Sequence, residues 1–213
     1  MRVDLDGHLL ELPRPTLADA LRVGITEADR RGVVIVTVLA DGKPLQGPEL
    51  EQPSEEPSPY QTISFLAATP ASLVERSLRD AASAVQEIGT LQPRVVELIN
   101  AGQTQQGLEE LQSIFATWSA VRDVVERGGR LLRQDFLAID LPGIDAKTPV
   151  QACMNGLSSS LVQIKLALSN QDWSLLSDVV GYELDGLARD WNMVLGALAD
   201  QVARSSPGEW KEP

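Results

Sequence analysis

The chain has 213 residues, of which 43% are apolar and only 4% aromatic. This length suits one large domain or two small ones, and a core built mainly from Leu, Val, Ile and Ala favours helices. The net charge of −12 would repel a phosphate backbone, so nucleic-acid binding is not expected. The longest apolar run, residues 33–40, is far shorter than the roughly 20 residues that a membrane span needs.

The cellular location is predicted from the N-terminus and the cysteine usage. Residues 1–12 alternate charged and apolar side chains and lack the continuous apolar stretch of a signal peptide. Cys153 is the only cysteine, so no intrachain disulfide can form, and its place in an apolar helical pattern predicts a buried side chain. We therefore expect a cytoplasmic protein.

Strand signals surround one helical segment in residues 1–68. Asp6-Gly7 and Asp41-Gly42 suit the positive φ angles of two-residue hairpin turns. Between them, Thr16 can cap a helix that Gly32 ends. The predicted order is two strands, a helix, two strands, an acidic proline-rich loop and a final strand. The strands and the loop are predicted over residues 1–5, 8–12, 33–40, 43–45, 46–60 (the loop) and 61–68.

This order resembles the β-grasp fold of ubiquitin and the small sulfur carriers. The resemblance covers residues 1–68 and implies a small sheet wrapped on one helix. Those carriers act through a free C-terminal Gly-Gly tail, whereas here Thr69-Pro70 leads into a helix and the sequence ends in Lys211-Glu212-Pro213. Carrier chemistry is therefore not expected of this chain.

Helical periodicity begins at Thr69-Pro70, a cap residue followed by proline. We predict an α+β protein whose residues 69–204 form an antiparallel bundle of four to five helices, with a flexible tail over residues 205–213. Gly89 and Gly128-Gly129 are interpreted as helix ends. Four helices are predicted over residues 70–88, 93–127 (interrupted at Gly102), 149–168 and 173–203, the last capped by Asp172. Residues 130–139 are predicted as a short fifth helix.

The helix that follows Thr148-Pro149 has the clearest seam. Its apolar residues keep a four-three spacing that favours knobs-into-holes packing, and they are Val150, Met154, Leu157, Leu161, Ile164 and Leu168. The segment from Asn170 to Leu184 is similar to segments of uncharacterised bacterial helical proteins. This second resemblance implies a bacterial protein and no particular function.

The residues that usually carry chemistry are scarce. His8 is the only histidine, and it lies beside a predicted hairpin turn with no nucleophile pattern nearby, so a hydrolytic triad is not expected. Asp135, Asp140 and Asp145 surround one turn, but they lack the alternating spacing of a calcium loop. No glycine-rich phosphate loop is present. We expect no catalytic residue, no metal and no cofactor, although an enzyme that uses carboxylates alone remains an alternative.

A binding role is the leading hypothesis. Trp118, Trp173 and Trp191 lie on the apolar faces of long helices, and they are the candidate residues for a protein partner or for a second copy of the chain in a homodimer. The alternative is that these rings fill the core of the chain itself. We predict a non-catalytic adaptor or assembly protein that acts through its helical bundle. A secretion or flagellar export chaperone is the second hypothesis.

Overall fold

The computed structural model describes residues 1–139, 141 and 150–205. The chain is α+β, with a small mixed sheet of five strands at the N-terminus followed by several helices. It divides into two compact units, the first spanning Met1–Leu73 and the second beginning at Val74. The division falls within the first turn of a helix, slightly after the predicted boundary at residue 68. Asp140, Asp145, the Thr148-Pro149 cap and nearly all of the predicted tail lie outside the described residues.

The sheet of the N-terminal unit has the strand order β2-β1-β5-β3-β4. Strands β1 and β5 pair in parallel, and the other neighbours pair antiparallel. The central strand β5 and its neighbours hold the buried side chains of this unit, such as Leu5, Ile63 and Phe65. The strands are β1 Arg2–Leu5, β2 His8–Leu9, β3 Val34–Ala40, β4 Lys43–Pro44 and β5 Thr62–Ala68.

Helix α1, Leu17–Arg31, packs on this sheet. The Thr16 hydroxyl accepts the N–H of Asp19 at 3.2 Å, and Gly32 ends the helix with a left-handed φ of 66°. Both predicted caps are therefore confirmed. Asp6-Gly7 has positive φ angles of 49° and 79°, as a two-residue hairpin turn requires. The predicted loop of residues 46–60 contains one short helix, α2 Pro48–Glu51.

Helices α3, Pro70–Asn100, and α4, Thr104–Leu132, are longer than predicted. Helix α3 continues through Gly89 and Pro93, so the predicted end at Gly89 was wrong. The buried stripe from Val74 to Ile99 runs through both residues, and burial of this stripe outweighs the one backbone hydrogen bond that proline removes. An ion pair of 2.9 Å between Arg94 and Glu110 joins the two helices.

The predicted helix end at Gly128-Gly129 was also wrong. A Cβ atom on Gly128 would lie 3.0 Å from Val74 Cγ1 and 3.2 Å from Phe136 Cε2, so this glycine permits a close approach within a continuing helix. Helix α4 instead ends at Arg133, which has a left-handed φ of 54°. The chain then forms a turn, and the helix predicted over residues 130–139 is absent from the described residues 134–139.

The C-terminal helices are α5 Val150–Asn170, α6 Trp173–Asp178 and α7 Leu184–Ser205. Asp172 caps α6, since its carboxylate accepts the N–H of Leu175 at 3.0 Å. The helix predicted as continuous over residues 173–203 is interrupted by a π turn, Val179–Glu183. Within the described ranges, no helix combines the length and the apolar character that crossing a membrane demands.

Candidate interaction surface

Two of the three tryptophans proposed to bind a partner lie in the core. Trp118 and Trp191 are 1% and 0% exposed, and their ring centroids lie 6.3 Å apart with the planes tilted by 59°. A partner could touch them only if α4 and α7 separated, so their position matches the alternative that they fill the core. Trp173 is half-buried in the first turn of α6, and its proposed role stays a prediction.

The exposed apolar residues of the helical unit concentrate elsewhere. Of the large apolar side chains that are exposed among the described residues of this unit, only Leu131 lies outside the region formed by α5, the π turn and α7. The others are Val162 on α5, Leu166 on α5, Tyr182 on the π turn and Met193 on α7, and their exposed fractions are 68%, 54%, 79% and 55%. We call these four residues the α5/α7 face.

Helix α5 carries very little charge for an exposed helix. Its 21 residues include one charged side chain, Lys165. Asn155, Ser159, Val162 and Leu166 are all exposed, and their four-three-four spacing places them on one side of the helix. An exposed stripe without charges is unusual in a chain of net charge −12, because charged residues normally cover the solvent side of a helix.

A second surface stripe contains Tyr182. Tyr182, Gly186, Arg189 and Met193 follow one another at four-three-four spacing. A Cβ atom on Gly186 would meet no atom within 4 Å, so the backbone is bare at that point. Arg189 places one charge in this stripe, and its guanidinium pairs with Asp185 at 2.9 Å on the same helix.

Side-chain contacts bring these two stripes together. Gln163 Nε2 donates to Glu183 Oε2 at 3.0 Å, and a Cβ atom on Gly156 would lie 3.0 Å from Leu187 Cδ1. Residue numbers rise along α5 as they fall along the other segment, so the two run antiparallel. Val162 and Tyr182 each precede a member of the hydrogen-bonded pair by one residue. In two antiparallel helices, the residues that come one position before a facing pair lie on the same side of the two helices. The stripes that contain Val162 and Tyr182 therefore face the same way.

The π turn contributes directly to this face. It inserts a wider turn at Val179–Glu183, and such turns occur frequently at functional sites. Val179 and Val180 are buried, while Tyr182 is exposed. Gly181 lies against α3, where a Cβ atom would approach Val96 Cγ2 to 3.2 Å. The glycine permits the inner side of the turn to sit close to α3 while Tyr182 points outward.

Two acidic residues in the part of the chain that the structure describes, Asp19 and Asp135, have hydrogen-bond partners within their own segment. No group of three His, Cys, Asp or Glu side chains in that part of the chain could hold a metal ion. Asp19 is buried, but Arg14 binds its Oδ2 at 2.7 Å, and this hydrogen bond is the main reason that its pKa lies below the usual value. Asp135 accepts the N–H of Leu137 in its own turn. These carboxylates serve local structure.

The remaining reactive residues have ordinary environments. His8 is exposed, and its Nδ1 lies 3.2 Å from the carbonyl oxygen of Asp6. Cys153 is buried as predicted. Burial, with a smaller effect of the charge on Asp190, raises the pKa of its thiol to about 11, so the thiolate that would act as a nucleophile is scarce at neutral pH.

Comparisons of the chain with protein-family models, with curated proteins and with solved structures gave no match. The assignment of a function therefore depends on the geometry and chemistry of the chain itself. Sequence reasoning missed the α5/α7 face because it searched for aromatic residues on long helices. The signal that could have found it is the single charge on a helix of 21 residues.

Proposed function

We propose that the chain is a non-catalytic adaptor or assembly protein that binds a protein partner through the α5/α7 face. The observation that carries this proposal is the concentration of four exposed large apolar side chains on two neighbouring stripes, of which the one on α5 has no charged residue. Scattered single apolar residues are normal on protein surfaces, but a contiguous group commonly marks an interaction site.

We also propose a β-grasp-like N-terminal unit, an antiparallel helical bundle and a cytoplasmic location. The N-terminal unit is β-grasp-like, which the five-stranded mixed sheet with α1 packed on it supports. The helical unit is an antiparallel bundle, a reading supported by the hydrogen bond from Asn192 Nδ2 to the Ala82 carbonyl at 2.9 Å and by the ion pair of Arg79 with Asp200 at 3.0 Å. We place the protein in the cytoplasm, where a single buried cysteine such as Cys153 needs no oxidised partner.

The partner is a protein or a second copy of the chain. An apolar stripe of this kind fits the apolar side of another helix, whose anchors recur at three- and four-residue spacing. A symmetric dimer would place the same face on both copies. In either case, burial of the four apolar side chains would contribute most of the binding free energy, because each exposes apolar area that association removes from water.

The test compares affinity capture from the source cells with three full-length baits. One bait is the wild-type chain, one carries Val162→Glu and Leu166→Glu, and the control carries Leu131→Glu, which changes an exposed apolar residue outside the face. We expect a specific partner with the wild type and the control, and its loss with the double variant. A partner that all three baits retain equally would contradict the proposal. The proposal would also be contradicted if the wild-type chain captured no protein and light scattering showed it to be a monomer.

A further inference from the structure

The two edges of the N-terminal sheet differ in how they are protected. The β4 edge consists of Lys43 and Pro44, and both residues discourage the addition of another strand because proline has no N–H and lysine keeps its charge in water. The opposite edge, β2, consists of His8 and Leu9. Leu9 is 65% exposed, and β2 contains neither a proline nor a lysine. The β2 edge is therefore the one that is open to pairing.

The pairing register shows which backbone groups face outward at this edge. Leu10 N–H donates to the Val3 carbonyl at 2.9 Å, and Leu5 is opposite His8. His8 and Leu10 therefore direct their backbone groups toward β1. Leu9 lies between them and is opposite Asp4, so its N–H and C=O point away from the sheet. These groups can pair with an additional strand.

A groove of about 570 Å³ runs beside this edge, between β2 and α1. Its lining includes the apolar residues Leu10 and Val23 and three arginines of α1, namely Arg22, Arg30 and Arg31. Two carboxylates, Glu11 and Glu27, also line it. Cationic side chains are therefore concentrated along the α1 side of the groove.

The arginines retain hydrogen-bonding capacity toward the groove. Arg30 directs Nε and Nη2 to Glu27 at 2.7 Å, and Arg22 pairs with Asp19 and Glu55. The guanidinium of Arg30 keeps further N–H donors, and the side chains of Arg30 and Arg22 are 71% and 61% exposed. Arg30 and Arg31 hold the pKa of Glu27 down at about 2, so this carboxylate stays charged and fixes both side chains.

We propose that the groove binds an extended peptide segment of a partner protein, which adds to the sheet as a strand beside β2 and carries acidic residues. Alternate side chains of an added strand point to opposite sides. Those on the α1 side would meet Arg22 and Arg30, where carboxylates are favoured, and those on the other side would lie beside Leu9, where apolar residues are favoured. The expected ligand therefore alternates acidic and apolar residues. This site is separate from the α5/α7 face and does not depend on it.

The probe is a library of random dodecapeptides selected on the full-length chain, with the best binder then measured against variants. Leu9→Pro removes the outward N–H and leaves the bonds to β1 in place, while the matched control Leu9→Thr keeps that N–H. Arg30→Glu reverses a groove charge, and its control Lys43→Glu makes the same charge change at the opposite edge. We expect roughly three- to tenfold weaker binding for Leu9→Pro and for Arg30→Glu, and little change for Lys43→Glu.

Three results would overturn the peptide proposal. The first is that no peptide is enriched on the chain relative to a surface without protein. The second is that the enriched peptides contain no acidic residues. The third is that Leu9→Pro and Arg30→Glu bind the selected peptide as tightly as the wild type. Circular dichroism identifies any variant that fails to fold, and Arg30→Glu, on an exposed position of α1, remains informative if Leu9→Pro does not fold. Val162→Glu, on the α5/α7 face, should bind the peptide like the wild type, so failure of this proposal is distinguishable from failure of the proposed function.

Discussion

Replacement of Gln92 by methionine should stabilise the helical unit. Gln92 is 0% exposed on α3, and neither its Oε1 nor its Nε2 has a hydrogen-bond partner among the described residues. A buried polar group left without a partner costs about 1–3 kcal/mol. Methionine has a similar length and fills irregular gaps in a core, so Gln92→Met removes this cost and keeps the packing of α3.

We expect the free energy of unfolding to rise by about 1–3 kcal/mol. The measurement is urea unfolding followed by circular dichroism at 222 nm, with an unchanged denaturant slope as evidence that the two proteins unfold in the same way. Gln105→Met on α4 is the control, because Gln105 is exposed and its Nε2 donates to the exposed Glu109 at 3.1 Å. That change should stay within about 0.5 kcal/mol. A loss of stability on Gln92→Met would refute the reasoning and show that the amide is hydrogen-bonded in the folded protein.

Further predictions concern packing and the buried thiol. Gly186→Ala should raise the free energy of unfolding by about 0.5–1 kcal/mol, because an added Cβ atom meets open space. Gly128→Ala should gain less than Gly186→Ala, because its Cβ atom must displace Val74 and Phe136. Urea titration of both variants checks this difference. Trp191→Ala should cost about 3–5 kcal/mol, since it empties a fully buried position, and a cost below about 1 kcal/mol would contradict that packing. Cys153 should resist iodoacetamide at pH 8 in the folded protein and react in urea, as mass spectrometry would show. Its folded pKa of about 11 exceeds the ordinary value of 9.0, so the stability that the neutral thiol contributes is lost as pH rises between those values.

Local turn and cap chemistry could be read from the sequence. The Asp6-Gly7 and Asp41-Gly42 turns adopt positive φ angles, and Thr16 and Asp172 cap helices with their side chains. Each of these features depends on a few consecutive residues, and the backbone conformations they require are restricted to a few residue types. Such features therefore remain predictable without knowledge of the packing around them.

Glycine positions could not be interpreted from local sequence alone. Gly89 and Gly128 lie inside continuous helices, although both were interpreted as helix ends. The role of Gly128 is set by Val74, which is distant in sequence and close in space. A local pattern contains no information about that neighbour, so a glycine that permits close approach looks the same as one that ends a helix.

The buried side of α5 was also predicted only in part. Val150, Leu157 and Ile164 of the predicted seam are buried, but Cys153, Ser160 and Ala167 complete the buried stripe in place of Met154, Leu161 and Leu168, which are half-buried. Large apolar residues lie on the outer side of this helix as well as on its inner side, so hydrophobic spacing alone does not distinguish the two sides. The same ambiguity concealed Val162 and Leu166 as surface residues.

The central claim is that the α5/α7 face contacts another protein, and site-specific photo-crosslinking in the source cells tests it most directly. A photoreactive amino acid placed at position 162 of the full-length chain should yield a discrete adduct, either with one partner protein or with a second copy of the chain. The same group at position 131, which is exposed outside the face, should not yield that adduct. Equal adducts at both positions, or none at position 162, would contradict the account.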